Sequence, residues 1–347
     1  MKSELSTNYL GMQLHSPVIV GSCPLTIEPE TVRQFVEAGA GAIVLPSILQ
    51  EQIVHAELQL TDPQAAAERS GYQPQQDKYN GGVERYLATI AQLKTTITVP
   101  VIASINVATA GNWLDYVKKI EASGAHALEL NWQPIYIDPD ESSEQVENTL
   151  CDIVHQVSTS VQIPVAVKIN HCFANLASIA RKLHGAGAQG LILFTHLPQW
   201  DVCVDRMHWT IRWELSPIDS LGRVLEGIVR ARTGGLAIPI AASGGIRTAE
   251  DAIKTMVAGA DVVMVTSEIY REGPEVIRKI VEGINQFLGT SPYESLQAFQ
   301  QARPEVQLGP RRLMRLEYVD PLTRSDHFYD PTPLAATEIG DSFGHKL

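Results

Sequence analysis

Positive charge is scarce in this 347-residue chain: 27 lysines and arginines face 39 aspartates and glutamates, a formal charge of −12. That balance excludes a nucleic-acid scaffold, which needs a basic face, and a polybasic membrane anchor. Cysteine is scarce too. Cys23, Cys151, Cys172 and Cys203 lie far apart without a CxxC pair, so neither a zinc site nor a disulfide framework nor an iron-sulfur set is indicated. No apolar run reaches the roughly 18 residues of a spanning helix. The opening residues MKSELSTNYLGMQLHSP carry no apolar core of a signal peptide. These absences predict a reduced, cytoplasmic protein with no metal and no nucleic-acid or membrane partner. What is present, 44% hydrophobic and 19% charged residues, suits a soluble protein with a sizeable core.

A repeat organises the chain. PVIVGS at 17, PVIASI at 100, PVAVKI at 164 and PIAASG at 239 each begin with proline and run into small or apolar residues. GAGAIVLPS at 39, GAHALELNW at 124, GAGAQGLILFT at 185 and GADVVMVTS at 259 alternate strictly with them. Continuous apolar runs of this kind are strands buried on both faces of a parallel sheet. ETVRQFVEAG, WLDYVKKIEASG, LASIARKLHGAG and AEDAIKTMVAG, between them, have helical spacing and a glycine stop. Eight equivalent strands alternating with helices predict an α/β protein, a TIM (β/α)8 barrel rather than a doubly wound sheet. NYLGMQLHSPVIVG predicts an N-terminal hairpin closing the bottom of the barrel. Residues 46–82 and 196–219 are long insertions after strands two and six. Both leave the C-terminal ends of strands, where such barrels build their sites. The barrel is assigned to 1–302, and the proline-rich, aperiodic segment 303–347 is set apart as a tail of unassigned role.

Strand ends supply the candidate site. ASGGIRTAED places Gly244 and Gly245 after strand seven, where backbone can approach a ligand closely. MVTSEIYREGPE places Thr266 and Ser267 after strand eight. Together these positions make a phosphate cradle. Lys168 lies inside the apolar strand AVKINHC. An unpaired buried ammonium is costly, so it is expected to face an anionic group. Glu129 and Asn131 end strand four, Asn106 ends strand three, and Gly21 and Ser22 end strand one. Two asparagines and a lysine beside a phosphate cradle suit a planar heterocycle with amide edges.

GADVVMVTSEIYREGPEVIRKI, PIAASGGIRTAEDA, PVAVKI and GAHALELN carry a resemblance to the dihydroorotate dehydrogenase family of FMN barrels. It extends from about Leu5 to about residue 300. The chain resembles a dihydroorotate-dehydrogenase-like subgroup of that family, and is similar also to the flavin domain of dihydropyrimidine dehydrogenase. The resemblance implies FMN as cofactor, with its phosphate on Gly244, Gly245, Thr266 and Ser267. It places Lys168 by the pyrimidine end of the flavin, stabilising negative charge on the reduced ring. Asn106 and Asn131 would contact flavin or substrate amides, Gly21 and Ser22 would lie against the flavin, and Ser47 is a further contact. It also implies a homodimer, a small-molecule substrate and a place in pyrimidine metabolism.

The substrate side departs from the family. Where the family has a basic cysteine in N-L-S-C-P-N, this chain reads Asn131-Trp132-Gln133-Pro134. Glutamine cannot take up a proton. Tyr136, Ser142 and Ser143 are the next hydroxyls, and Cys172 lies in another loop. Pro46 stands where the family has a lysine, YNGGVER retains Asn80 from a longer substrate loop, and Thr195-His196 follows strand six. His196 is a titratable candidate at the mouth or a histidine bonded to backbone. Four functions remain open on the residues. One is an FMN oxidoreductase acting on a small cyclic amide or related acid, with Lys168 and His196 as catalytic residues. Another is a dihydroorotate dehydrogenase with a different base. The third is a non-redox phosphate-binding barrel using Lys168 as a Schiff-base or general-base lysine. The last is a flavin module feeding a separate electron-acceptor protein.

Overall fold

Chain segments that are apolar on both faces must be covered on both, and a closed barrel ringed by helices does this. The computed structural model describes residues 4–304 except 65, 74–76, 110, 112, 135–137 and 218–219. Its barrel strands are Val18–Val20, Ala42–Val44, Val101–Val107, Ala127–Trp132, Val165–Ile169, Gly190–Leu193, Ile240–Ser243 and Val262–Val265, numbered one to eight below. Strand two breaks around Pro46, which lacks the N–H a ladder needs, and resumes as Ile48–Leu49 against strand three. All neighbours are parallel, and the ring closes where Val263 pairs with Val18. The expected (β/α)8 barrel is therefore observed.

The period-two alternation of strands sorts the core into two layers. Inside the barrel, Ile19, Ala42, Ile102, Ala127, Ala166, Ile192, Ala241 and Val262 pack together. Val18, Val20, Ile43, Val101 and their equivalents face the helices instead. The antiparallel pair Thr7–Tyr9 and Met12–Leu14 forms the expected hairpin. It inserts Tyr9, Leu10 and Leu14 into the inner layer. Alanines at the foot of strands two, four, five and seven make that room. At Gly190 a Cβ would stand 2.5 Å from a Leu10 methyl, so a larger residue here would push the plug side chain aside.

Local signals set the surrounding helices. Ser142 caps Ser143–Ser160 through a reciprocal bond with Gln145, and Thr248 caps Ala249–Ala258 with Asp251 in the same way. The latter helix stops at Gly259, whose φ of 125° favours glycine. The two insertions, read from sequence as loops, contain ordered elements. The first carries helices Gln50–Thr61 and Ala66–Ser70. The second is an antiparallel ribbon, Gln199–Cys203 with His208–Arg212. Its alternation places Trp200, Val202, Trp209 and Ile211 on one exposed face. At the other end of the unit, the Arg303 guanidinium reaches the Gly259 carbonyl at 3.1 Å and Asp261 at 3.2 Å. The segment from 305 onward lies outside the described residues, as does Tyr136.

Candidate functional site

One cavity of about 960 Å³ opens at the C-terminal end of the barrel. It gathers Ser22 from strand one, Ser47 from strand two, Asn106 from strand three, Asn131 from strand four and Lys168 from strand five. Thr195 and His196 enter after strand six, Gly244 and Gly245 after strand seven, and Thr266 and Ser267 after strand eight. Gly21 lies just behind the wall. A Cβ on it would collide with the Thr266 hydroxyl, so glycine there lets strands one and eight approach. Every strand of the barrel thus contributes to a single concave site, the usual form of a small-molecule pocket.

Lys168 and Asn131 are each only 8% exposed. The Lys168 ammonium lies 3.6 Å from Glu129 Oε1, and Glu129 is fully buried. Ser104 donates to that oxygen at 3.0 Å, while Glu129 Oε2 has no partner. A buried charge needs such a partner. Sequence reading took the lysine as facing a ligand anion and missed this internal counter-charge, although Glu129 and Lys168 stand on neighbouring strands, Glu129 beside Ala166 and Asn131 beside Lys168. Asn131 Oδ1 is buried at the cavity wall without a hydrogen-bond partner. Asn106 donates to Gln133 at 3.3 Å, and Gln133 in turn donates to the His196 carbonyl at 3.4 Å. Gln133 thus ties three loops together in the place of a base.

At the opposite wall, Gly244 and Gly245 have φ of 112° and 72°, a path open to glycine. A Cβ on Gly245 would meet the Leu221 backbone. The Ser267 hydroxyl donates to Ser216 Oγ at 3.2 Å and accepts from the Ser216 N–H at 3.0 Å. Beside them the buried Glu268 carboxylate holds Arg271 at 2.8 Å and Arg247 at 3.3 Å. Arg223, Arg247 and Arg271 all line the cavity. Arg247 and Arg271 belong to the motifs SGGIRT and SEIYRE, whereas Arg223 lies apart from both, in helix Ser220–Thr233. Glu268 and Glu129 behind the wall and Glu214 on it offset most of the charge of these arginines and Lys168, which leaves a small cationic excess facing the cavity.

The titratable groups are ordered by burial. His196 Nε2–H donates to the Glu214 carbonyl at 2.6 Å, and the ring meets Trp213 edge-on at 5.0 Å. Its pKa is lowered, first by burial and then by Lys168 and Arg223, against the opposing Glu214 bond. Cys23, on the cavity wall, is pushed up to about 11 by burial and remains a thiol. Burial likewise raises the Tyr79 phenol, which faces Ser22 and the Ser47 backbone. Tyr79 lines the cavity and was not predicted. Its neighbour Asn80, read as a surviving substrate contact, is instead fully buried outside the lining. It donates to the Ser47 carbonyl at 2.9 Å and to Gln52. Ser142 is spent on its helix cap, and exposed Cys172 lies away from the cavity wall. Among the described residues, no His, Cys, Asp or Glu group could hold a metal ion and no helix is long and apolar enough to cross a membrane.

These features define a (β/α)8 barrel whose mouth has a glycine turn and two hydroxyl side chains on one wall and a buried lysine on another. A family model described as dihydroorotate dehydrogenase matches residues 225–288, the part bearing strands seven and eight. A protein of Aeropyrum pernix, assigned as a dihydroorotate dehydrogenase A (fumarate), is 28% identical over 85% of this chain and 95% of its own. The catalytic subunit of a dihydroorotate dehydrogenase B (NAD(+)) from Thermoplasma acidophilum is 26% identical over 85% and 97%. The structure of a dihydroorotate dehydrogenase from Eimeria tenella, in complex with ferulenol, shares the fold. Its TM-score is 0.61 at 17% identity, covering 87% of this chain and 88% of that one. The chain is thus similar to dihydroorotate dehydrogenases in sequence and shares their barrel fold.

Proposed function

We propose that the protein is an FMN-dependent oxidoreductase that moves a hydride between the flavin and a small cyclic amide or related acid. The observation that carries this reading is the pairing, within one cavity, of an anion cradle with a buried ammonium and an unpartnered amide oxygen. Gly244, Gly245, Thr266 and Ser267 would hold the phosphate, with Arg247 and Arg271 adding charge. Asn131, whose Oδ1 is buried and unpaired, fits a ring N–H, since a buried acceptor left alone costs about 1–3 kcal/mol. Asn106 lies on the adjacent strand, Ser22 and Ser47 also line the cavity, and Gly21 packs against Thr266 behind it. Bound there, FMN supplies a reversible two-electron acceptor. Lys168 contributes positive charge where negative charge develops, from a site that largely excludes water. The relatives support dihydroorotate as the first substrate to try. Gln133 in place of a basic side chain supports either a different substrate or a different proton path. The non-redox reading is weakened because Lys168 is paired with Glu129 and a Schiff-base lysine must be neutral to attack.

The test is direct. The purified protein is expected to show a flavin spectrum and to release about one FMN per chain on acid treatment. A colourless protein that fails to bind added FMN overturns the proposal.

A further inference from the structure

Glu129 is more than a counter-ion, because it ends a run of hydroxyl groups that begins at the cavity wall. Ser104 Oγ donates to Glu129 Oε1 at 3.0 Å. Ser47 Oγ lies 2.8 Å from Ser104 Oγ, and Ser22 Oγ lies 3.4 Å from Ser47 Oγ. Ser22 and Ser47 line the cavity, whereas Ser104 and Glu129 are fully buried. The Tyr79 phenol faces the Ser22 side chain and opens onto the same cavity. A serine hydroxyl both donates and accepts, so the run can be oriented one way throughout. The Ser104 bond to a carboxylate fixes that direction at its inner end.

We propose that Tyr79, Ser22, Ser47, Ser104 and Glu129 form a proton relay that replaces the base absent after strand four. It rests on the flavin reading above. In the oxidising direction one substrate C–H bond would break with its hydrogen and electron pair leaving together, as hydride, for the flavin, the two-electron acceptor. The neighbouring C–H bond breaks and leaves its electrons in the new C=C bond. Tyr79 takes that second proton while its own passes to Ser22. Ser22 passes one to Ser47, Ser47 to Ser104, and Ser104 to Glu129 Oε1. Reduction of substrate reverses each shift. Tyr79 is the catalytic residue, because it meets the substrate, and the serines and Glu129 act through it.

Other candidates at the wall serve less well. His196 is bonded to a carbonyl through Nε2, and burial keeps the Cys23 thiol protonated. The relay also explains why Glu129 stands beside Lys168. When Glu129 takes a proton, the ammonium 3.6 Å away loses its counter-charge. That occurs as negative charge develops on the ligand, so proton and hydride transfer favour one another. Besides Lys168, the groups whose charge Glu129 influences are the phenols of Tyr9, from the hairpin below, Tyr79 and Tyr86. Tyr86 is committed to the Ser104 carbonyl at 3.0 Å.

The deciding experiment is infrared difference spectroscopy of the FMN-loaded protein, photoreduced without substrate. Negative charge on the reduced ligand beside Lys168 then draws a solvent proton in at Tyr79 and along the relay to Glu129. A protonated-carboxyl band should appear on reduction and be missing in Glu129→Gln. Flavin that loads and reduces with no such band in the wild type, or with the band unchanged in Glu129→Gln, overturns the relay and leaves the flavin reading standing. A protein that binds no FMN overturns both. A second arm uses Ser104→Ala, which cuts the relay behind the cavity wall. Wherever dihydroorotate reduces the wild-type flavin, this variant should do so at least tenfold more slowly, with an unchanged rate for dithionite. Equal slowing of both reagents, or of neither, also overturns the relay.

Discussion

Lys168 and Glu129 show how a single pair ties stability to function. Lys168→Met removes the partner of a carboxylate that is fully buried. Removing one member of a buried ion pair costs about 3–5 kcal/mol, because the other charge is left unpaired. Urea unfolding of the flavin-free variant should show that loss, and Lys168→Met with Glu129→Gln should recover much of it. With flavin bound, Lys168→Met should slow substrate reduction of the flavin by about 10²–10³, the usual penalty for losing one charge-stabilising donor. His196 supplies the pH-dependent counterpart. Its folded pKa lies below the ordinary value of about 6.5 for the unfolded chain, chiefly through burial. Protonation therefore favours the unfolded chain. The neutral imidazole is fully accommodated above the unfolded pKa, and stability falls as pH drops through that window towards the lowered folded value. Thermal melts at pH 5 and pH 7.5 should show a smaller acid-induced loss in His196→Gln than in the wild type.

Among elements, what the sequence made legible follows from how local each cause is. Parallel strands buried on both faces announce themselves as unbroken apolar runs, and PIAASGG followed by a helix cap states its own geometry. The ribbon Gln199–Cys203 and His208–Arg212 was harder, because its apolar face points outward and gave no core to predict. The Glu129–Lys168 contact is set by register between strands, and the serine run by side chains about 25 and 57 residues apart in the chain. Such juxtapositions carry no mark in a linear pattern. Asn80 shows the reverse error, a residue type that fits a ligand but is consumed by Gln52 and the Ser47 carbonyl. At the turn after strand seven, Gly245→Ala places a Cβ against the Leu221 backbone at a φ of 72°. Strain of this kind costs about 1–3 kcal/mol. The variant should unfold at lower urea, and FMN titration should show weaker binding because the cradle backbone has shifted.

For the whole molecule, the ligand is expected to act as a keystone, since all eight strands of the ring reach the one cavity. Anything that binds the folded barrel alone stabilises it by mass action, about 2.7 kcal/mol at a hundredfold excess over Kd. Melting temperature should therefore climb with the logarithm of FMN concentration, as followed by calorimetry on flavin-free protein. The molecule carries a net charge of −12, yet Lys168, Arg223, Arg247 and Arg271 line the mouth. Glu214, Glu268 and Glu129 offset much of that charge, so the attraction of the entrance for an anion is local and set by a small cationic excess. The FMN association rate should consequently fall as salt rises and the Debye length shrinks from roughly 30 Å at 0.01 M to about 10 Å at 0.1 M. Inorganic phosphate separates the two parts of the site. If it produced the whole thermal shift and FMN added nothing, only the cradle would be bound, and Asn131 and Lys168 would have to serve another ligand.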